Sequence, residues 1–304
     1  MKAAAINSFG GPEVVELLDV ETPTAGAGQV RVRVKAAGVQ AADCAVRGGW
    51  TPPGQALAFP QKIGNEFAGV VDQAGEGAER FPVGSAVLGW AMLAGHAEYV
   101  VVPVEQIVAK PASMPWPVAG SLSASGQTAH TALERLKVGA GDTLLVHAAA
   151  GGVGTIAVQL AKRYGATVIG TAGPRNHDYL RSLGAIPVAY GAGLADRVRE
   201  SAPQGVTAAL DGAGGDAVDV SVELVGDRER IGTLVAFERV EELGILGLFS
   251  QRSAGRLQQL VDLYAEGGLH VEIARTFPLA EAADAHRAVE TRHVRGKIAL
   301  VVED

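Results

Sequence analysis

The residues with the most specific chemical reading are Ala149, Gly151, Gly152, Val153 and Gly154. They lie within Asp142-Thr-Leu-Leu-Val-His-Ala-Ala-Ala-Gly-Gly-Val-Gly-Thr-Ile-Ala-Val-Gln-Leu-Ala-Lys162. Gly151 and Gly152 let a pyrophosphate lie against the backbone, where the first N–H groups of a following helix point at it. Gly151 and Gly154 fill the second and third places of a dinucleotide glycine fingerprint, with Ala149 at the first. The flanks supply the elements such a turn needs. Thr143 to Ala148 is an apolar run of strand length, and Val153, Ile156, Ala157, Leu160 and Ala161 recur at the spacing of a helix with one buried face. A packing turn in some other α/β protein is the competing reading; strand and helix in the right places favour a dinucleotide.

The end of the next strand bears on which dinucleotide. NAD binders usually carry Asp or Glu there, against the ribose 2′-OH. Here the chain reads Val168-Ile-Gly-Thr-Ala-Gly-Pro-Arg-Asn176, with Ala172 in the acidic place and Thr171, Arg175 and Asn176 around it. No carboxylate repels a 2′-phosphate, and a guanidinium can fork onto one, so the pattern expects NADPH. Arg175 as a solvated loop charge is the alternative.

These residues need a scaffold, and the pattern predicts one in two parts. From Met1 to about Pro117, short strands are expected at Val14–Leu18, Val30–Lys35, Ala68–Asp72, Ala86–Gly89 and Ala97–Pro103, with no long helical period: a β-rich, Greek-key-like or barrel-like lobe. Strand and helix then alternate. Strands are expected at Thr167–Thr171, Pro187–Tyr190, Thr207–Asp211, Gly232–Phe237 and Gly244–Phe249, and helices at Asn176–Leu183, Leu194–Ser201, Ala217–Val225 and Ala254–Ala265. The fold class is therefore α/β, a Rossmann doubly wound parallel sheet beside a β-rich domain.

Composition narrows the rest. A net charge of −7 argues against a nucleic-acid partner, and no apolar run reaches the length of a membrane span. The apolar part of the start is too short for a signal peptide. One cysteine, Cys44, excludes an internal disulfide framework and fits a reducing cytoplasm. Cys44 has no neighbour that would lower its pKa and reads as a small core residue. The Ser-rich run 120–126 is no nucleophile elbow.

Further motifs carry a resemblance: Phe9-Gly-Gly-Pro-Glu-Val14, Ala36-Ala-Gly-Val-Gln-Ala-Ala-Asp43 with Arg47-Gly-Gly49, Gly64-Asn-Glu-Phe-Ala-Gly-Val-Val71, Ser125-Gly-Gln-Thr-Ala129, Leu210-Asp-Gly-Ala-Gly-Gly215, Phe277-Pro-Leu279, Ala285-His286 and Arg295-Gly-Lys297. In this order, over nearly the whole chain, they resemble the medium-chain dehydrogenase/reductase superfamily, in its zinc-free NADPH:quinone oxidoreductase (ζ-crystallin-like) branch. The resemblance implies a GroES-like catalytic domain of residues 1–118 completed by a returning segment 268–304, around a Rossmann NADP-binding domain of residues 119–267. The tail is expected to form strands at Val271–Phe277 and Ile298–Val302, with a helix at Leu279–Glu290.

Zinc-dependent members hold the metal with Cys, His and a third Cys or acid. The matching positions here are Gln40, Asn65 and Ala124, poor zinc ligands, so no metal is expected. Glu66 reads as a carboxylate paired with a nearby cation. The resemblance places Thr128 and Tyr190 against the cofactor, Ala213 near its ribose, the loops Val235-Ala-Phe237 and Leu248-Phe-Ser250 around the nicotinamide (Ala236, Phe249, Ser250), and Lys297 near its phosphates. Core packing for Phe249 and a surface charge for Lys297 stand as alternatives. Gln40 and Asn65 carry amide donors for a substrate carbonyl, and Trp50 an aromatic wall; each reads equally as lobe packing. Asp43 is expected to fix a local turn. The implied chemistry is NADPH-dependent reduction of a quinone or of the C=C bond of an α,β-unsaturated carbonyl compound. A polyketide-like tailoring enoyl reductase and an NADPH-binding protein with little turnover are the alternatives. A homodimer through the last strand of the cofactor sheet is expected.

Overall fold

The computed structural model describes residues 1–303. The chain opens with β1 (Lys2–Ile6) and β2 (Val15–Asp19), an antiparallel pair, then the long β3 (Gln29–Val39). Val30, Val32 and Val34 of β3 are buried in one core while Arg31 and Arg33 alternate with them, the two-residue period of a half-buried strand. A short helix, α1 (Ala41–Arg47), follows; the Asp43 carboxylate accepts the Gln40 N–H at 3.0 Å and closes its first turn. The sequence pattern contains no helix there, because seven residues are too few to display a period. Next come β4 (Gln61–Lys62), β5 (Glu66–Ala74), β6 (Ala86–Trp90), β7 (Tyr99–Pro103) and β8 (Ile107–Ala109).

The helix α2 (Trp116–Arg135) leads into an alternating run: β9 (Thr143–Val146), α3 (Gly152–Arg163), β10 (Thr167–Thr171), α4 (His177–Ser182), β11 (Ile186–Val188), α5 (Leu194–Ser201), β12 (Ala208–Asp211), α6 (Asp216–Leu224), β13 (Ile231–Thr233), α7 (Val240–Leu243) and β14 (Leu246–Gly247). The chain ends with α8 (Ala254–Ala265), β15 (Ile273–Pro278), α9 (Ala282–Glu290) and β16 (Lys297–Val301).

Two compact units result, one of residues 1–124 with 253–304, the other of residues 125–252. This division places α8 with the first unit. In the first unit the sheet order is β15-β16-β3-β5-β6-β8, with β7 also on β3, beside a smaller sheet β2-β1-β4. The tail strand β16 pairs antiparallel with β3, Leu300 opposite Ala37, which makes this unit discontinuous in sequence. Its core includes Ile6, Phe67, Val87, Ile107 and Leu300. Each such side chain fully buried contributes about 1.5–3 kcal/mol.

The second unit is a parallel six-stranded sheet in the order β11-β10-β9-β12-β13-β14, the doubly wound arrangement. Its strand order reverses between β9 and β12, and the carboxyl ends of these strands are the place where such sheets bind ligands. The strands at β13 and β14 are shorter than the pattern suggests. Among the described residues no helix is long and apolar enough to cross a membrane.

Candidate functional site

The glycine fingerprint forms the turn between β9 and α3. Ala148 takes a positive φ of 56°, and the Ala149 N–H donates to the Thr171 carbonyl at 3.0 Å, which ties the turn to the end of β10. Gly154 is required by packing: a Cβ there would lie 2.5 Å from the Ala148 oxygen and 2.6 Å from the Ala149 Cα. Gly151 is different. Its φ is −78°, and a Cβ would meet only the Ala148 oxygen, at 3.3 Å. Neither backbone conformation nor a severe clash within the chain demands glycine at this helix N-cap, whereas close approach of a phosphate group would. The N–H groups of the first turn, including Gly152 and Val153, have no acceptor within the helix itself.

At the end of β10, Ala172 is buried and Arg175 is exposed on a 3-10 turn, Pro174–Asn176. The Tyr190 hydroxyl comes within 3.6 Å of where a Gly173 Cβ would stand, so Tyr190, itself 59% exposed, converges on the same corner as Arg175 and Asn176. Thr171 is buried, and its hydroxyl lies 3.3 Å from His147 Nδ1. The other nitrogen, Nε2, lies 3.1 Å from the Ser221 hydroxyl, which donates to the Ala217 carbonyl. His147 Nε2 therefore carries the ring proton, and Thr171 donates to Nδ1. Burial, only partly offset by Asp211, holds the His147 pKa down to about 4.

The loops after β12, β13 and β14 are pinned by side chains at strand ends. Asp211 accepts from the N–H groups of Ala213 and Gly214 and from the Thr233 hydroxyl. Thr233 in turn accepts from the N–H groups of Val235 and Ala236. The Ala236 N–H is thus turned inward onto the Thr233 hydroxyl at 2.9 Å. Phe249 stacks on Phe237, ring centroids 4.6 Å apart, and remains 51% exposed, so it is not a core side chain. The Ser250 hydroxyl is buried without a partner among the described residues, and the Gln251 N–H is fixed to Thr131 of α2 at 3.1 Å. Thr128 sits one turn earlier on α2, half-buried. His147 stands in the fingerprint stretch with no role read for it, and Thr233 lies in no motif. A Thr closing an apolar strand two and three residues before the N–H groups it caps is the local signal that would have found Thr233.

In the first unit, polar side chains gather in the core beside α1. Asn65 Nδ2 donates one of its two N–H groups to Asp43 at 2.6 Å. Burial pushes the Asp43 carboxyl pKa up, while His96 and Lys297 pull it down. His96 Nε2 lies 3.0 Å from the Gly38 carbonyl and 4.0 Å from Asp43. Lys297, expected at cofactor phosphates, is instead buried 2.9 Å from Glu66, an ionic contact more than an aligned hydrogen bond. The second Glu66 oxygen accepts the Ala124 N–H at 2.6 Å. Gln40 Nε2 is buried with no partner among the described residues. Trp50 is 40% exposed.

This donor set does not fit zinc. Gln40, Asn65 and Ala124 offer amides and a methyl group, and Glu66 is already held by an ammonium and an N–H group. Among the described residues no group of three His, Cys, Asp or Glu side chains could hold a metal ion.

Residues 26–112 match the alcohol dehydrogenase GroES-like domain, and residues 183–300 match the zinc-binding dehydrogenase domain, a range that contains none of Gln40, Asn65 and Ala124. The chain is 33% identical to a 2-haloacrylate reductase of a Burkholderia species, over 98% of both chains. The structure of a quinone oxidoreductase from Coxiella burnetii superposes with a TM-score of 0.90 at 34% identity, covering 100% of this chain and 99% of the other. A mycobacterial protein solved in complex with NADPH superposes with a TM-score of 0.87 at 29% identity, over 99% of both. Fingerprint, doubly wound sheet, GroES-like unit and these similarities together establish that the chain belongs to the medium-chain dehydrogenase/reductase superfamily, in its quinone oxidoreductase branch.

Proposed function

We propose that this protein is a metal-independent, NADPH-dependent oxidoreductase that reduces a quinone or the C=C bond of an α,β-unsaturated carbonyl compound by hydride transfer. The observation that carries the reading is the contrast between the two glycines of the fingerprint. Gly154 serves the fold, whereas Gly151 keeps a helix N-terminus open to close approach. The NADPH complex of the mycobacterial relative and the reductase relatives support it.

Bound NADPH supplies the hydride. Gly151, Gly152 and the start of α3 would hold its pyrophosphate. Arg175, Asn176 and Tyr190 would hold the 2′-phosphate, next to Ala172 in place of a carboxylate. Thr128, Ala213, Phe249 and Ser250 remain proposed contacts. Gln40 offers a buried, unspent amide N–H for an acceptor oxygen. Such a donor stabilises charge arriving on that oxygen as the conjugated system takes up hydride. Conjugation moves the charge away from the attacked carbon, so the step needs less help than reduction of an isolated carbonyl. Trp50 is proposed as an acceptor wall. A homodimer through the β14 edge and a cytoplasmic location belong to the same reading.

The test is oxidation of NADPH and of NADH by purified protein, with simple quinones and with α,β-unsaturated ketones and aldehydes, each with and without a chelator. Chelator-insensitive turnover that prefers NADPH is expected. Strong NADH preference would overturn the role of Arg175. Tight NADPH binding without turnover on any acceptor would favour a binding protein instead.

A further inference from the structure

We propose that Asp211 and Thr233 are positioning residues that lock the loops after β12 and β13 into one platform for the nicotinamide half of the cofactor, an inference that rests on the NADPH reading above. The two residues are register partners at the ends of neighbouring parallel strands, and both are fully buried. Asp211 Oδ1 accepts the N–H groups of Ala213 and Gly214, each at 2.9 Å, and Oδ2 accepts the Thr233 hydroxyl at 2.7 Å. Thr233 Oγ1 accepts the N–H groups of Ala236 at 2.9 Å and Val235 at 3.2 Å. The hydroxyl has one proton and two lone pairs, and all three are spent.

Two side chains therefore hold loop N–H groups on both strands, at the end of the sheet where ligands bind. The loops also touch, since a Gly214 Cβ would lie 3.4 Å from Val235 Cγ2. The stack of Phe237 on Phe249 passes the order to the loop after β14. With its N–H groups drawn inward, the Val235–Ala236 segment presents the Val235 carbonyl and that of Ala236, which already accepts the Arg239 N–H at 3.1 Å. Those are acceptors, the complement of the NH2 of a carboxamide. The exposed faces of Val235 and Phe249 supply apolar cover for a flat ring.

The experiment compares wild type, Thr233→Val and Thr233→Ser in titrations with NADPH and with 2′-phospho-ADP-ribose, which lacks the nicotinamide. Valine keeps the shape but leaves two N–H groups and a carboxylate oxygen unmet, so NADPH should bind about tenfold or more weakly. 2′-Phospho-ADP-ribose should bind within about twofold of wild type, and serine should restore NADPH binding. Equal weakening of both probes, or of neither, would overturn the proposal and leave a purely structural role. Hydrogen exchange on the wild type gives a second measurement that needs no variant. Amides of residues 233–237 should slow with NADPH and not with 2′-phospho-ADP-ribose; no slowing would overturn the platform. A wild type that binds 2′-phospho-ADP-ribose and NADPH equally well overturns the platform alone, whereas one that binds neither removes the NADPH reading and this inference with it.

Discussion

Glu66 and Lys297 face each other inside the first unit at 2.9 Å, with 0% and 4% of their side chains exposed. They bring together a strand from the first third of the chain and the last strand. The carboxylate also reaches the Ala124 N–H, and so joins three segments far apart in sequence.

Removing one member of this pair strands a charge in the core. Glu66→Gln or Lys297→Met should each cost about 3–5 kcal/mol, while the double change should cost less than either single one. Urea unfolding of the four proteins completes the cycle. Additive losses would mean the two groups do not interact.

Gly154→Ala places a methyl group against the Ala148 carbonyl and should lower stability by about 1–3 kcal/mol. Gly151→Ala should change stability by less than about 0.5–1 kcal/mol and yet weaken NADPH binding at least tenfold. Thermal melts paired with fluorescence titration of NADPH separate the two effects. Equal NADPH affinity in Gly151→Ala and wild type would remove the phosphate from this turn.

Two buried histidines predict an acid-side loss of stability. Burial holds His147 down to about 4 and His286, helped by His96 and Arg47, down to about 3, from an ordinary 6.5. Above pH 6.5 both are neutral in either state and the stability is fully present. As pH falls from 6.5 toward 4, the unfolded chain takes up protons that the folded chain refuses, so stability drops. The loss between pH 8 and pH 5 should be about 2 kcal/mol for each histidine. Urea midpoints at pH 8, 6.5 and 5 measure it, and His147→Asn should reduce the slope. No change down to pH 5 would show that both imidazoles can be charged where they lie.

Cys44 is buried against His286 Nδ1, at 3.5 Å, and burial with Asp43 nearby pushes its thiol up to about 12. At pH 8.5 iodoacetamide should alkylate it on the order of 100-fold more slowly in the folded protein than in urea. Mass spectrometry of the time course decides; equal rates would mean the α1–α9 contact opens readily.

The strand–turn–helix at residues 143–163, the parallel run after it and the return of the tail were legible in the sequence. Local periodicity and small-residue spacing determine the first two, and the return of the tail follows from the family that the ordered motifs resemble. The length of α1 and the reach of α2 were not, since a short or small-residue helix carries little amphipathic signal. Long-range pairing lay further out of reach. Lys297 reads in sequence as a cation for phosphate, and Asn65 as a donor for substrate, yet folding gives one to Glu66 and draws an N–H of the other to Asp43. Sequence lists which hydrogen-bonding groups exist. Only the tertiary structure decides which are already spent, because a buried polar group must find its partner wherever the fold happens to place one.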